Sequence, residues 1–216
     1  MTLKTPGPQV LKTSRPQDPK TSGHLIAFEG LDQSGKETQA ARLRERFAAA
    51  GRTVRALSFP DYETPIGHEI RAALDGHRQF AADTLQLLYI ANRHEYRMPM
   101  EAWLAAGDVV VCDRYRASSI AYGDAQGLDA AWLRDVQRHL PEPAMVVLLD
   151  IAPEEAVRRK AHGRDKFERD LPLLSRVRDS YRRQAEAEGW EVVDGARSKD
   201  DISDDILSRV TSRGWM

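Results

Sequence analysis

The sequence contains a single cysteine, Cys112, among its 216 residues, so an intrachain disulfide and a zinc site of paired cysteines are excluded. The thiol directly follows the three valines 109–111, and this apolar context predicts a buried structural cysteine rather than a nucleophile. The six histidines show no metal-ligand spacing. These features argue against disulfide-stapled folds, Cys/His zinc sites and thiol chemistry.

The sequence also lacks a long apolar run and a strong charge of either sign. No stretch approaches the about 20 apolar residues that a membrane-spanning helix needs, and residues 1–22 show no apolar core of a signal peptide. The formal net charge is −1, so bulk electrostatics favour neither nucleic acid nor a membrane as a partner. We therefore expect a cytoplasmic protein in which any anion site is local.

Residues 1–22 differ from the remainder of the chain because they combine four prolines with Lys, Thr, Ser and Gln. Such a segment has little to bury, which predicts a flexible tail. Residues 23–216 are long enough for one compact domain. In this part short apolar runs alternate with helical patterns, and the runs lie at residues 25–28, 53–58, 109–112, 145–149 and 191–193. Near-continuous apolar strands are typical of a parallel sheet buried on both faces, so we predict a doubly wound α/β fold.

The predicted helices lie between these strands. One long helical stretch, residues 84–106, contains Pro99, at which we expect a break or bend. The other predicted helices cover residues 36–50, 66–74, 129–139, 153–161, 171–188 and 201–210. Each strand is thus followed by helical sequence, as a parallel sheet requires for its crossovers.

A glycine-rich phosphate loop lies between the first predicted strand and the first predicted helix. Gly30, four intervening residues, Gly35 and Lys36 form the loop. Glycines let successive backbone N–H groups wrap an anion, and the following helix N-terminus favours negative charge. Lys36 adds a positive charge for the β- and γ-phosphates of a nucleotide. The loop therefore predicts nucleotide phosphate binding.

The residue after Lys36 departs from this pattern. A Ser or Thr hydroxyl normally binds magnesium there, whereas this chain has Glu37 followed by Thr38. A carboxylate suits magnesium, and it also favours a helix start electrostatically. Direct ligation, ligation through water and a purely electrostatic role all remain open for Glu37.

Five segments together identify a resemblance. Residues 59–67 (FPDYETPIG), 87–93 (LLYIANR) and 113–122 (DRYRASSIAY), together with residues 28–32 (FEGLD) and the basic residues 158–169, resemble thymidylate kinases. The resemblance runs from about residue 24 to residue 210. It implies transfer of the ATP γ-phosphoryl group to dTMP, a five-stranded parallel sheet, a Mg2+ cofactor and a homodimer.

The resemblance also implies a role for individual residues. The ATP site would comprise Gly30, Leu31, Asp32, Gln33, Ser34, Gly35, Lys36, Glu37, Thr38 and Arg159, the last packing on adenine. The dTMP site would comprise Asp32, Phe59, Tyr89, Arg93, Arg114, Ser118, Ser119 and Tyr122. In this set Tyr89 stacks on thymine, Arg93 bonds the base, Arg114 grips the phosphate and Tyr122 lies near the sugar. Asp113 would join Glu37 near the magnesium.

The basic segment at residues 158–169 resembles the family's lid over ATP. Some thymidylate kinases carry an arginine inside the phosphate loop, where this chain has Gln33. The resemblance therefore implies the subclass in which the lid supplies the catalytic cation, with Arg164 and Lys166 as candidates. Together with Asp32, Lys36 and Arg114, they complete the predicted catalytic set.

Two positions depart from the family pattern at the acceptor site. Tyr62 stands where many members have a phosphate-contacting arginine, and Gly123 stands where many have glutamine. Replacements for the missing charge remain open among Arg71, Arg93, Arg97 and Arg116. These departures leave two alternatives: a kinase for another (deoxy)nucleoside monophosphate or for a deoxynucleoside, and a nucleotide-binding regulator without kinase activity.

Overall fold

The computed structural model describes residues 22–159 and 170–216. The predicted tail, apart from Ser22, and residues 160–169 of the predicted lid lie outside the described residues. Within the described part, no helix has the length and apolar character needed to cross a membrane.

Five strands form one sheet in the described residues: β1 (His24–Glu29), β2 (Val54–Ser58), β3 (Val109–Asp113), β4 (Met145–Asp150) and β5 (Glu191–Asp194). Their spatial order is β2-β3-β1-β4-β5, and every neighbouring pair is parallel. This confirms the doubly wound five-stranded sheet.

The central strand β1 is buried on both faces, as its unbroken apolar sequence predicts. Ile26 and Phe28 pack into the cluster that includes Leu43 of the first helix, whereas Leu25 and Ala27 belong to a second cluster. Successive side chains of β1 therefore pack on opposite faces of the sheet, as expected for a β-strand. The edge strand β2 is less buried, with Arg55 and Ala56 exposed.

Helices cover both faces of the sheet. They are α1 (Lys36–Ala49), α2 (Pro65–Leu74), α3 (Ala82–His94), α4 (Arg97–Ala105), α5 (Arg116–Ala125), α6 (Ala130–Asp135), α7 (Pro153–Arg159), α8 (Leu171–Glu188) and α9 (Lys199–Ser212). Most predicted helices are confirmed with small shifts at their ends. The helix α5 was not predicted, because its small and polar residues carry a weak apolar repeat.

The predicted break at Pro99 is wrong. The predicted helical stretch, residues 84–106, is instead divided before Pro99, where α3 ends at His94 and α4 begins at Arg97. Pro99 is the third residue of α4, and the N–H groups of a first helical turn have no intrahelical acceptor. A proline there removes no helical hydrogen bond, so the helix accommodates it.

The sheet order creates a crevice beside β1. From β1 the chain crosses to β2 on one side, whereas from β3 it crosses to β4 on the other side. The adjacent carboxyl ends of β1 and β3 thus form a topological switch point, where open α/β sheets bind their ligands. The phosphate loop follows β1, and residues 113–122 follow β3.

Candidate active site

The phosphate loop adopts a conformation that its glycines make possible. Gly30 has φ 137° and Gly35 has φ 100°, both in the region that side chains disfavour. A Cβ at residue 30 would lie 2.5 Å from the carbonyl oxygen of Leu149, so only glycine fits against β4. Gln33 also has a positive φ, 65°, at the top of the loop. This confirms the predicted strand–loop–helix context.

Lys36 lies inside the loop rather than in solvent. Its side chain is buried, and Nζ donates a 2.8 Å hydrogen bond to the carbonyl oxygen of Leu31. Burial, followed by the nearby Arg114 charge, lowers the pKa of Lys36 below its usual value. The negative charge of an incoming phosphate would oppose both effects, because it supplies the anionic partner that the ammonium needs.

The loop forms one wall of a cleft with a volume of about 720 Å³. Five segments line it: the loop and start of α1, the segment that begins at the end of β2, the end of β3, the end of α7, and the segment from residue 195 into the start of α9. The lining includes Lys36, Glu37, Phe59, Tyr62, Asp113, Arg114 and Arg159. The cleft is large enough for a nucleotide-sized ligand.

Arg114 points towards the phosphate loop from the end of β3. Its φ of 63° marks a left-handed backbone, which turns the chain sharply at the start of α5. The guanidinium donates to Asp32 Oδ1 at 2.7 Å and to Ser118 Oγ at 3.1 Å. Burial is the largest single effect and lowers the pKa of Arg114, but the Asp32 carboxylate together with Tyr122 and Tyr181 outweighs burial and raises that pKa well above its usual value. Arg114 therefore stays charged beside Lys36.

A buried carboxylate that the sequence analysis did not assign holds this arrangement. Glu29, the last residue of β1, is fully buried and accepts from Tyr115 N at 2.8 Å, Ser118 Oγ at 2.7 Å and Tyr181 OH at 3.2 Å. These donors belong to the turn after β3, to α5 and to α8. The sequence signal was a glutamate ending an apolar strand, since glutamate is rarely buried without partners.

Arg93 and Ser119, which the resemblance assigns to the dTMP site, meet in the interior. The Arg93 guanidinium donates to Ser119 Oγ at 2.8 Å and to Gln137 Oε1 at 3.3 Å, and burial lowers the pKa of Arg93 to about 10. Tyr89 lies one helical turn before Arg93 on α3 and is half-buried. Tyr122 OH approaches Asp32 Oδ2 at 3.4 Å, which places it beside the phosphate loop.

Gly123 reflects packing of α5 rather than a missing ligand contact. A Cβ at this position would lie 2.4 Å from Leu133 Cδ1 and 3.4 Å from Gln86 Cγ. A glutamine at residue 123 would therefore require Leu133 to move. The close approach of α6 and α3 gives a physical reason for this departure from the family pattern.

The predicted metal residues occupy different positions in the cleft. Asp113 Oδ1 is buried and finds no hydrogen-bond partner among the described residues. Glu37 is exposed at the cleft. The described residues contain no cluster of three potential ligands, yet Mg2+ is commonly held by one or two carboxylates together with substrate phosphates. The two carboxylates fit such a site.

Arg159 closes the cleft on the side of β5. Its guanidinium donates to the carbonyl oxygens of Gln33 at 3.1 Å and Gly195 at 2.9 Å. It is also paired with Glu155 at 2.7 Å. The other predicted cations of the lid, Arg164 and Lys166, lie outside the described residues.

A glycine-rich loop at the switch point, a buried lysine within it and a facing arginine define a P-loop phosphotransferase. The thymidylate kinase family model matches residues 28–206 of this chain. The chain therefore belongs to the thymidylate kinase family.

Individual relatives agree with this assignment. The thymidylate kinase of Arabidopsis thaliana is 35% identical over 187 residues, covering 87% of this chain and 70% of the relative. That of Plasmodium falciparum is 34% identical over 195 residues, covering 90% and 92% respectively. The solved thymidylate kinase of Candida albicans, described as having broad substrate specificity, superposes with a TM-score of 0.76 at 26% identity, covering 89% of this chain and 93% of that chain.

Substitution of Lys36 tests the phosphate loop. Lys36→Met keeps the aliphatic stem and removes the charge, so we expect turnover to fall about 100-fold or more, as for loss of an electrostatic stabiliser. The measurement is steady-state kinetics at saturating ATP, with circular dichroism to verify folding. Near-normal turnover in a folded variant would contradict the role of Lys36.

Substitution of Tyr181 tests the network around Glu29. Tyr181→Phe removes a hydroxyl that also accepts from Arg114 at 3.2 Å. We expect a loss of about 1–2 kcal/mol in the free energy of unfolding and a higher KM for the acceptor with an unchanged KM for ATP. The matched control is Tyr115→Phe, which removes a hydroxyl bonded to Pro141 O at 3.1 Å. Equal kinetic effects of both variants would refute a positioning role for Tyr181.

Proposed function

We infer that this chain transfers the γ-phosphoryl group of ATP to dTMP, forming dTDP and ADP. The observation that carries this inference is the placement of Lys36 and Arg114 in one cleft, on loops that follow the adjacent strands β1 and β3. Transfer between two polyanions requires cations for both, held in line. Membership of the thymidylate kinase family supports dTMP as the acceptor.

We assign the donor to the phosphate loop and the acceptor to the opposite wall. Residues 30–38 hold the ATP phosphates, and Lys36 neutralises the transferring group. Arg114 binds the dTMP phosphate, and Asp32, which fixes its guanidinium, orients the acceptor. Arginine suits this task because its planar fork makes several phosphate contacts at once.

The acceptor base is assigned to the interior formed by α3 and α5. Tyr89 provides an aromatic face, and Arg93, held by Ser119, provides the hydrogen bond to thymine. Tyr122 lies near the sugar, and Phe59 and Ser118 complete the pocket, with Ser118 Oγ accepting from Arg114. An aromatic face and one directional hydrogen bond are sufficient to orient a pyrimidine.

We assign Mg2+ to Asp113 and Glu37. The buried, unpartnered Oδ1 of Asp113 supports this assignment, since a buried carboxylate oxygen without a donor suits a cation. When bound, the ion neutralises charge on the β- and γ-phosphates. The negative charges of Asp113 and Glu37 would then offset part of the positive charge in the cleft.

Further assignments rest on the resemblance. Arg164 and Lys166 supply the catalytic cation that Gln33 does not, and Arg159 packs on adenine. We also propose a homodimer in the cytoplasm. The side chains of Leu87 on α3 and Met98 on α4 are 43% and 63% exposed. These exposed apolar side chains support the proposal of a dimer interface.

A substrate panel tests the function. With ATP and Mg2+, we expect dTMP to give the highest kcat/KM among dTMP, dUMP and dCMP in a coupled ADP-release assay. The thymine 5-methyl group adds an apolar contact that is absent from dUMP and contributes about tenfold in specificity. Equal turnover of all three would contradict thymine selectivity. Binding of ATP without binding of dTMP in calorimetry would instead support a regulator.

Charge removal at the carboxylates tests the metal assignment. Asp113→Asn and Glu37→Gln should each raise the magnesium concentration needed for half-maximal activity, by about tenfold or more for Asp113. Glu45→Gln, an exposed substitution on the same helix as Glu37, is the control. An unchanged magnesium dependence of Glu37→Gln would remove Glu37 from the metal site.

A further inference from the structure

The acceptor site lacks one expected positive charge, because Tyr62 replaces the arginine found in many family members. We propose that Arg71, stacked on Tyr62, binds the phosphate of dTMP in place of that arginine. This proposal rests on the proposed function, because Arg71 would be the second cation, after Arg114, that binds the acceptor phosphate.

The structure distinguishes the four arginines that the sequence left as candidates for this phosphate contact. Arg93 is buried and bonded to Ser119 and Gln137 within the protein. Arg97 pairs with Glu101 at 3.5 Å, and Arg116 pairs with Glu142. Each of these three therefore already has a protein partner that competes with a phosphate.

Arg71 differs from the other three in its surroundings. Its guanidinium carbon lies 3.8 Å from the centroid of the Tyr62 ring, and Tyr62 lines the cleft together with Arg114. Arg71 is exposed, and no carboxylate of the described residues forms an ion pair with it. Its charge is thus held next to the cleft without being neutralised by a described residue.

Stacking on a tyrosine prepares an arginine for phosphate binding. The aromatic ring attracts the cation and restricts its long side chain, which reduces the entropy lost when a ligand binds. The face of the guanidinium is covered, whereas its N–H groups lie at the edge and can bond phosphate oxygens. Tyr62 and Arg71 together therefore replace the length and charge of one arginine.

The segment that carries Tyr62 is itself fixed in place. Asn92 on α3 accepts from Asp61 N at 2.8 Å and donates to Asp61 O at 3.1 Å and to Thr64 Oγ1 at 2.9 Å. The segment also packs tightly on α2, since a Cβ at Gly67 would lie 1.9 Å from Asp61 O. The platform under Arg71 is consequently defined before any ligand binds.

Comparison of dTMP with thymidine isolates the phosphate contact. In calorimetry, Arg71→Gln should weaken dTMP binding about tenfold, the effect of losing one hydrogen bond to a charged group. Binding of thymidine, which has no phosphate, should be unchanged. The control is Arg78→Gln, a nearby exposed arginine that is paired with Glu69 at 3.3 Å; it should leave both affinities unchanged.

Two further variants test the partnership of the stacked pair. Tyr62→Leu removes the platform and should weaken dTMP binding about as much as Arg71→Gln, with no further loss in the double variant. Tyr62→Arg combined with Arg71→Gln restores the arginine of other family members and should recover dTMP binding. Unchanged dTMP affinity in Arg71→Gln would overturn the proposal, as would an equal loss for dTMP and thymidine.

The same experiment separates this proposal from the proposed function. Wild-type turnover of dTMP is measured first and tests the kinase activity alone. Suppose that the wild type phosphorylates dTMP, and that Arg71→Gln still prefers dTMP over thymidine by the same factor as the wild type. In that case only the assignment of Arg71 fails.

Discussion

The buried carboxylate of Glu29 is the constraint on which the active site depends. It ends the central strand and accepts hydrogen bonds from the turn after β3, from α5 and from α8. A buried charge is costly unless such donors satisfy it, so the three elements are held where their donors meet the carboxylate. The turn that places Arg114 opposite the phosphate loop is one of them. Loss of this contact would free the turn that holds Arg114 opposite the phosphate loop.

This constraint forces positive charges together. Lys36 and Arg114 lie close enough for Arg114 to lower the pKa of Lys36, and Asp32 offsets part of the repulsion by pairing with Arg114. The protein thus holds a cation pair beside the phosphate loop, and the carboxylates of Asp32, Asp113 and Glu29 act on the pKa of Lys36 in the opposite direction to Arg114. Such preorganisation favours a state in which additional negative charge arrives, as it does when two nucleotides bring their phosphates into one cleft.

Features encoded by local sequence could be predicted, whereas those that depend on distant contacts could not. Strand β1 and the phosphate loop are specified by an apolar run and by two glycines that adopt positive φ. Asp32 and Arg114 were predicted from motifs, and the structure brings them within 2.7 Å. Tyr181, in contrast, lies 152 positions from Glu29, and no local pattern distinguishes it from an ordinary core tyrosine. The break between α3 and α4 was misplaced because a proline in a first helical turn is tolerated.

The departures from the family pattern show why a single aligned position is a poor guide to a binding site. Read alone, Tyr62 indicates a lost phosphate contact and Gly123 a lost pocket residue. In the structure each departure has a specific neighbour: Leu133 occupies the space beside Gly123, and Arg71 lies on the ring of Tyr62. A binding site conserves charge and volume in space rather than at fixed positions, because a ligand interacts with the field and shape that all nearby side chains produce. A tyrosine that supports an arginine nine residues later can therefore preserve acceptor recognition where the motif itself has changed.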